Sequence, residues 1–203
     1  MATGVSFAMG FDAFHFISMI RVITAIFIGA IISFAWGFIS WMVIGWHTPS
    51  SFTDPAAVAE VIKENAPDHG VYMLPAHEDA KEQADAITNG PFLYATIRPD
   101  ALDKPWSMRN SLFFSFANNL LCSLMIAICV LRIRATRFIS RASVGAILGV
   151  FAAISMALPR WNWFETPNIH LLASIIDPIV AYTLAGVFIA SIIKAPKARR
   201  IFS

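Results

Sequence analysis

"LLASIIDPIVAYTLAG", residues 171–186, decides the class of this chain. Apart from one residue it is apolar enough to cross a bilayer. The apolar run continues on both sides, from Ile169 to Ile193, and a bilayer core needs about 20 such residues in a helix. The exception is Asp177, followed at once by Pro178. An ionised carboxylate at the centre of a membrane helix costs about 2.5–3.5 kcal/mol on insertion scales. Asp177 therefore needs partners or a task, and the search for them organises the rest of the sequence.

The composition supports the membrane reading. Hydrophobic residues make up 57% of the chain and charged residues 14%, with a mean hydropathy of +0.64. Soluble domains carry about 25% charged residues. Three further segments match the length rule. They are Val22–Trp46, Ser111–Leu131 and the shorter Ala142–Leu158. The first is too long for a signal-peptide core and lacks a small-residue cleavage site, so it reads as an uncleaved anchor. Cys122 and Cys129 both lie in the second span, which argues against a disulfide framework.

Orientation follows from the basic residues near the span ends. Arg21, Arg132, Arg134, Arg137, Arg141, Lys194, Lys197, Arg199 and Arg200 are nine of the 15 Lys and Arg, and they fall on one side. The loop His47–Met108, on the other side, holds ten acidic residues and four basic ones. The rule puts both termini in the cytoplasm of a bacterial inner membrane and the loop in the periplasm. Residues 1–21 form an aromatic-rich arm, either an interfacial helix or a continuation of span one. The full order is arm 1–21, span 22–46, loop domain 47–109, span 111–131, basic turn 132–141, span 142–158, turn 159–168, span 169–193 and basic tail 194–203. The fold class is an all-α transmembrane four-helix bundle with a small α+β extracytoplasmic domain.

Within the loop, "TDPAAVAEVIKEN" reads as a helix capped by Thr53 or Asp54, with Pro55 in its first turn. "GVYMLP" is a short strand, "HEDAKEQADAITNG" a polar helix, and "PFLYATIRP" a second strand with Phe92, Tyr94 and Thr96 on one face. The α-β-α-β order suggests that the two strands pair. So small a unit buries little surface by itself.

Two patterns run through the spans. Gly29, Ser33 and Gly37, then Gly145, Gly149 and Ala153, recur every four positions. Such faces let membrane helices approach closely. The second pattern is polar: Ser111, Ser115, Asn118, Cys122, Met125 and Cys129 in span two, and His170, Ser174, Asp177 and Ala181 in span four. Asn118 lies eight residues after Asn110 and Asp177 eight after Ile169, so both sit about 12 Å below one surface. Trp36 falls near that level. The expected site is a polar layer of Asp177, Asn118, Asn119, Ser174 and Trp36. It would act as a hydrogen-bonded clamp or as a seat for a proton or ligand.

No motif for acyl transfer or phosphate binding is present. His47, His170 and Glu165 are weak candidates for a metal site near the outer surface, but their spacing matches no known ligand pattern. His15 and His170 fall on opposite sides and no haem-attachment motif exists, so no cofactor is expected. The basic cluster is explained by anionic headgroups rather than nucleic acid.

"WMVIGWH" at the end of span one, "GVYMLP", "GPF" and "WNW" together resemble a group of small four-span bacterial inner-membrane proteins. The resemblance implies the same architecture and carries no activity, substrate or site. The first functional expectation is a non-enzymatic accessory or assembly subunit with membrane-protein partners. The alternatives are a small oligomeric transporter or ligand-binding protein built on the polar layer, and a membrane enzyme with an outer-surface His/carboxylate site.

Overall fold

A computed structural model describes residues 4–195, with side chains from residue 18 onward. Lys197, Arg199, Arg200 and the His15 side chain lie outside it. The chain divides into two units. One comprises Met1–His47 with Met108–Ser203, and the other is Thr48–Ser107.

Among the described residues the first unit holds four helices long and apolar enough to cross a membrane. Helix α1 runs Gly4–Phe38 and passes directly into a π-helical segment, Ile39–Ile44. The N-terminal stretch from Gly4 therefore continues span one without a break. The segment ends at Gly45, whose φ of 74° is left-handed. Glycine suits that position because it has no Cβ to clash.

The second unit contains α2 (Pro55–Asn65), β1 (Gly70–Leu74), α3 (Ala80–Asn89) and β2 (Leu93–Ile97). The α-β-α-β order agrees with the sequence reading, and the strands pair antiparallel, Val71 opposite Thr96 and Met73 opposite Tyr94. Asp54 caps α2 by accepting from the Ala56 and Ala57 amides, and Asp79 caps α3 in the same way through Lys81 and Glu82. Within this unit only Ala66 and Pro75 are buried.

The remaining helices of the first unit are α4 (Met108–Arg132), α5 (Phe138–Phe164) and α6 (Asn168–Ile192). Helix α5 extends beyond the apolar stretch at both ends and includes Pro159, which the sequence suggested would open a turn. Hydropathy marks what can face lipid, not where the helix stops. Pro159 removes only the donor to the Ser155 carbonyl, a loss that membrane helices tolerate.

Helix α6 is the element against which the others pack. Ser33 donates to the Ala181 carbonyl at 3.2 Å and Trp36 reaches Asp177, so α1 runs antiparallel to α6. A Cβ on Gly186 would lie 2.7 Å from the Ala142 carbonyl oxygen, and one on Gly149 2.6 Å from that of Pro178. Helix α5 is therefore also antiparallel, and its backbone touches that of α6. Gly29 meets Ile189 and Ser123, and the rings of Phe34 and Phe116 meet edge to face at 5.8 Å, which aligns α4 against α1. Ala25, Ile126, Ala127, Val130, Ala185 and Ile189 form the buried core among α1, α4 and α6.

Five of the six small residues read as packing positions are buried. Gly37 is half-buried, and a Cβ there would have nothing within 4 Å. Arg141, counted in the sequence with the basic turn, is 3% exposed, and its Nη1 lies 3.4 Å from the Ala190 carbonyl in the last turn of α6. Such carbonyls lack helical donors and the helix C-terminus favours a cation.

The two kinds of glycine predict opposite signs. Gly145→Ala or Gly186→Ala drives a Cβ into facing backbone and should cost about 1–3 kcal/mol. Gly37→Ala removes helical backbone freedom without a clash and should stabilise by up to about 1 kcal/mol. Thermal unfolding in detergent micelles checks both.

Candidate functional site

The helical face that binds α1 to α6 carries the site. Ser33, Trp36 and Ser40 are spaced by three and four residues, which puts them on one side of a helix. The π-helical segment holds Ser40 buried on that side, and the left-handed turn at Gly45 folds Trp46 and His47 back toward it. Their target is Asp177, in the third turn of α6.

Asp177 accepts on both oxygens. Oδ1 takes the Ser40 hydroxyl at 2.6 Å and the Trp36 indole N–H at 3.2 Å. Oδ2 lies 2.8 Å from His47 Nε2. An ionised carboxylate is acceptor-only, so His47 donates from Nε2. The Ser40 hydroxyl also accepts from Trp46 Nε1 at 2.8 Å and sits 3.2 Å from His47 Nε2. A hydroxyl has one donor and two acceptor positions, and here all of them are engaged. Trp41 stacks on the His47 ring at 4.1 Å with 5° between planes, and Trp46 meets that ring edge-on at 6.1 Å. The His47 and Asp177 side chains are 12% and 21% exposed, so the pair sits at the edge of the buried region.

This chemistry is not that of an activated nucleophile. In a Ser-His-Asp triad the imidazole stands between the other two and takes the serine proton. Here Ser40 donates its hydrogen bond to the carboxylate, and one imidazole nitrogen lies within reach of both neighbours. What the arrangement supplies is a carboxylate with three donors on it, which ties the end of α1 to α6.

The structure brings together only part of the expected layer. Trp36 reaches Asp177. Asn118 and Ser174 are exposed, and Asn119 Nδ2 donates to the Ser115 carbonyl of its own helix. The polar stripe of α4 does meet α6, but through Cys122 Sγ and Tyr182 Oη, 3.2 Å apart. Tyr182 lies five residues after Asp177, which turns it about 140° around the helix. Asp177 thus faces α1 while Tyr182 faces α4. Depth placed Asn118 and Asp177 at one level, but depth alone says nothing of which way each points.

Ser40 and His47 are the residues that sequence reasoning did not assign to Asp177. The available signals were the three-four spacing of Ser33, Trp36 and Ser40, and Gly45 directly after the apolar run as a place for the chain to turn back. His47, His170 and Glu165 do not converge. Among the described residues no three His, Cys, Asp or Glu side chains are grouped to hold a metal ion. Comparison with protein-family models, curated proteins and solved structures gave no match.

Removing the acceptor should therefore cost more than any expected partner. Asp177→Ala leaves three donors stranded and should destabilise the bundle by about 2–4 kcal/mol. Asp177→Asn keeps one acceptor and should cost about 1–2 kcal/mol. Asn118→Ala should leave the unfolding temperature unchanged. Thermal unfolding followed by tryptophan emission ranks the three.

Proposed function

We propose that this polytopic membrane protein is a non-enzymatic accessory or assembly subunit of a larger complex in a bacterial inner membrane. Its termini lie in the cytoplasm and Thr48–Ser107 in the periplasm. The observation that carries the reading is the engagement of both Asp177 oxygens within the chain. Its oxygens are taken by Trp36, Ser40 and His47 of the same chain, which leaves a clamp rather than a reaction centre. A transporter built on Asp177 and Asn118 would need those side chains to converge, and an enzyme would need His47, His170 and Glu165 to do so.

The Thr48–Ser107 unit supports a partner. One face of its two-stranded sheet shows Val71, 61% exposed, and Met73, 42% exposed. Phe52, Val61, Leu102 and Trp106 are exposed as well. A unit of this size with two buried residues needs cover from outside itself. The orientation rests on the nine basic residues that share one side of the spans.

Extraction in mild detergent should yield the chain with a stoichiometric membrane-protein partner. Val71→Asp with Met73→Asp should release that partner while leaving the helical bundle folded. A monomer from the unmodified chain, with no partner at any detergent concentration, contradicts the reading.

A further inference from the structure

Helix α4 has a second patterned face that the bundle does not use. Phe114, Asn118, Leu121, Met125, Ile128 and Arg132 recur at alternating steps of four and three, the a and d positions of a heptad. All six are exposed, Phe114 by 70% and Leu121 by 61%. The buried residues of α4, Ser123, Ile126, Ala127 and Val130, fall on the b, c and f positions, on the opposite side of the helix.

Lipid explains the apolar members of this seam but not Asn118. It stands ten residues into a helix of 25, about 15 Å from the start and deep in a bilayer core about 30 Å thick. No water reaches an amide there, and leaving it unsatisfied is costly. Exposed Ser155 and Ser191 donate to carbonyls of their own helices, and Asn119 does the same. Asn118 takes no hydrogen bond among the described residues. The chemistry of the group selects what covers it. Every copy of this chain enters the bilayer with one topology, so two α4 helices meet parallel and at equal depth. A two-fold axis between them sets each residue against its own counterpart. A carboxylate or an ammonium would repel its copy there, whereas an amide carries donor and acceptor together and pairs with itself. In parallel coiled coils a single Asn at an a position fixes register and the number of strands. Arg132 closes the seam in the last turn of α4, where a long side chain carries its charge out to the headgroups.

We infer that two copies of this chain associate through parallel α4 helices, with the two Asn118 amides bonded to each other within the seam. The contact does not depend on the partner proposed for Thr48–Ser107. The full chain, labelled at its amino terminus in vesicles of phosphatidylethanolamine and phosphatidylglycerol, reads association by energy transfer as the lipid is diluted. Excess micelles part the copies, so unfolding in detergent does not sense Asn118. The wild type should associate. Asn118→Leu should weaken association about tenfold, and Asn118→Gln, which keeps an amide, should restore most of it. Oxidative cross-linking in cell membranes reads the face, with Cys122→Ser and Cys129→Ala as background and Asn118 intact. Phe114→Cys and Leu121→Cys should each give a disulfide-linked dimer, while Phe113→Cys, 67% exposed but off the seam, should not. Equal association of the wild type and Asn118→Leu, equal cross-linking through position 113, or a cross-link to a different protein in place of the dimer overturns the inference.

Discussion

A carboxylate inside an apolar helix has to be supplied with donors, and Asp177 draws the end of the first span onto the fourth to obtain them. Trp36 and Ser40 come from one helical face, and His47 arrives by a reversal of the chain. The π-helical segment and the left-handed Gly45 give that reversal its geometry. π-Helical turns inside α-helices recur at functional positions. Here the segment and the turn after it bring Ser40 and His47 to a single carboxylate, with Trp46 donating to Ser40. The indoles of Trp41 and Trp46 then shield the imidazole.

Around this tie, α6 presents a different surface to each neighbour. Gly186 and the Pro178 carbonyl meet the glycines of α5, where backbone touches backbone. Ala181 and Asp177 meet the hydroxyls and indole of α1. Tyr182 meets Cys122 of α4. In lipid no hydrophobic force separates helix faces from tails, so association rests on close contact and on interhelical hydrogen bonds. The α5 contact uses the first means and the α1 contact the second. Pro178 belongs to both, since its carbonyl receives Gly149 while the preceding residue is the clamp.

Much of this was legible in the residues. The four spans follow from apolar length, and the packing roles of Gly29, Ser33, Gly145 and Gly149 from their spacing. The α-β-α-β order of the loop follows from its caps and turn residues. Trp36 was legible as a partner of Asp177 because both lie near one depth. Asn118 was misread because hydropathy and depth do not encode rotation about the helix axis. Ser40 and His47 were missed for a related reason. Ser40 keeps the helical spacing of Ser33 and Trp36, but spacing alone does not name the residue it meets on another helix, and His47 lies beyond the helix, where periodicity has no meaning. Gly37 repeats the spacing of Gly29 and Ser33 yet has open space beside it, because a spacing pattern does not say whether a neighbouring helix lies against each position.

The account stands on Asp177 as the lock that orders the end of span one. Amide hydrogen exchange in detergent or nanodiscs, compared between the wild type and Asp177→Asn, reads that lock residue by residue. The account predicts that residues 39–47 lose protection in the variant while the glycine-packed contact of α5 with α6 keeps its own. Unchanged protection across residues 39–47 would contradict it.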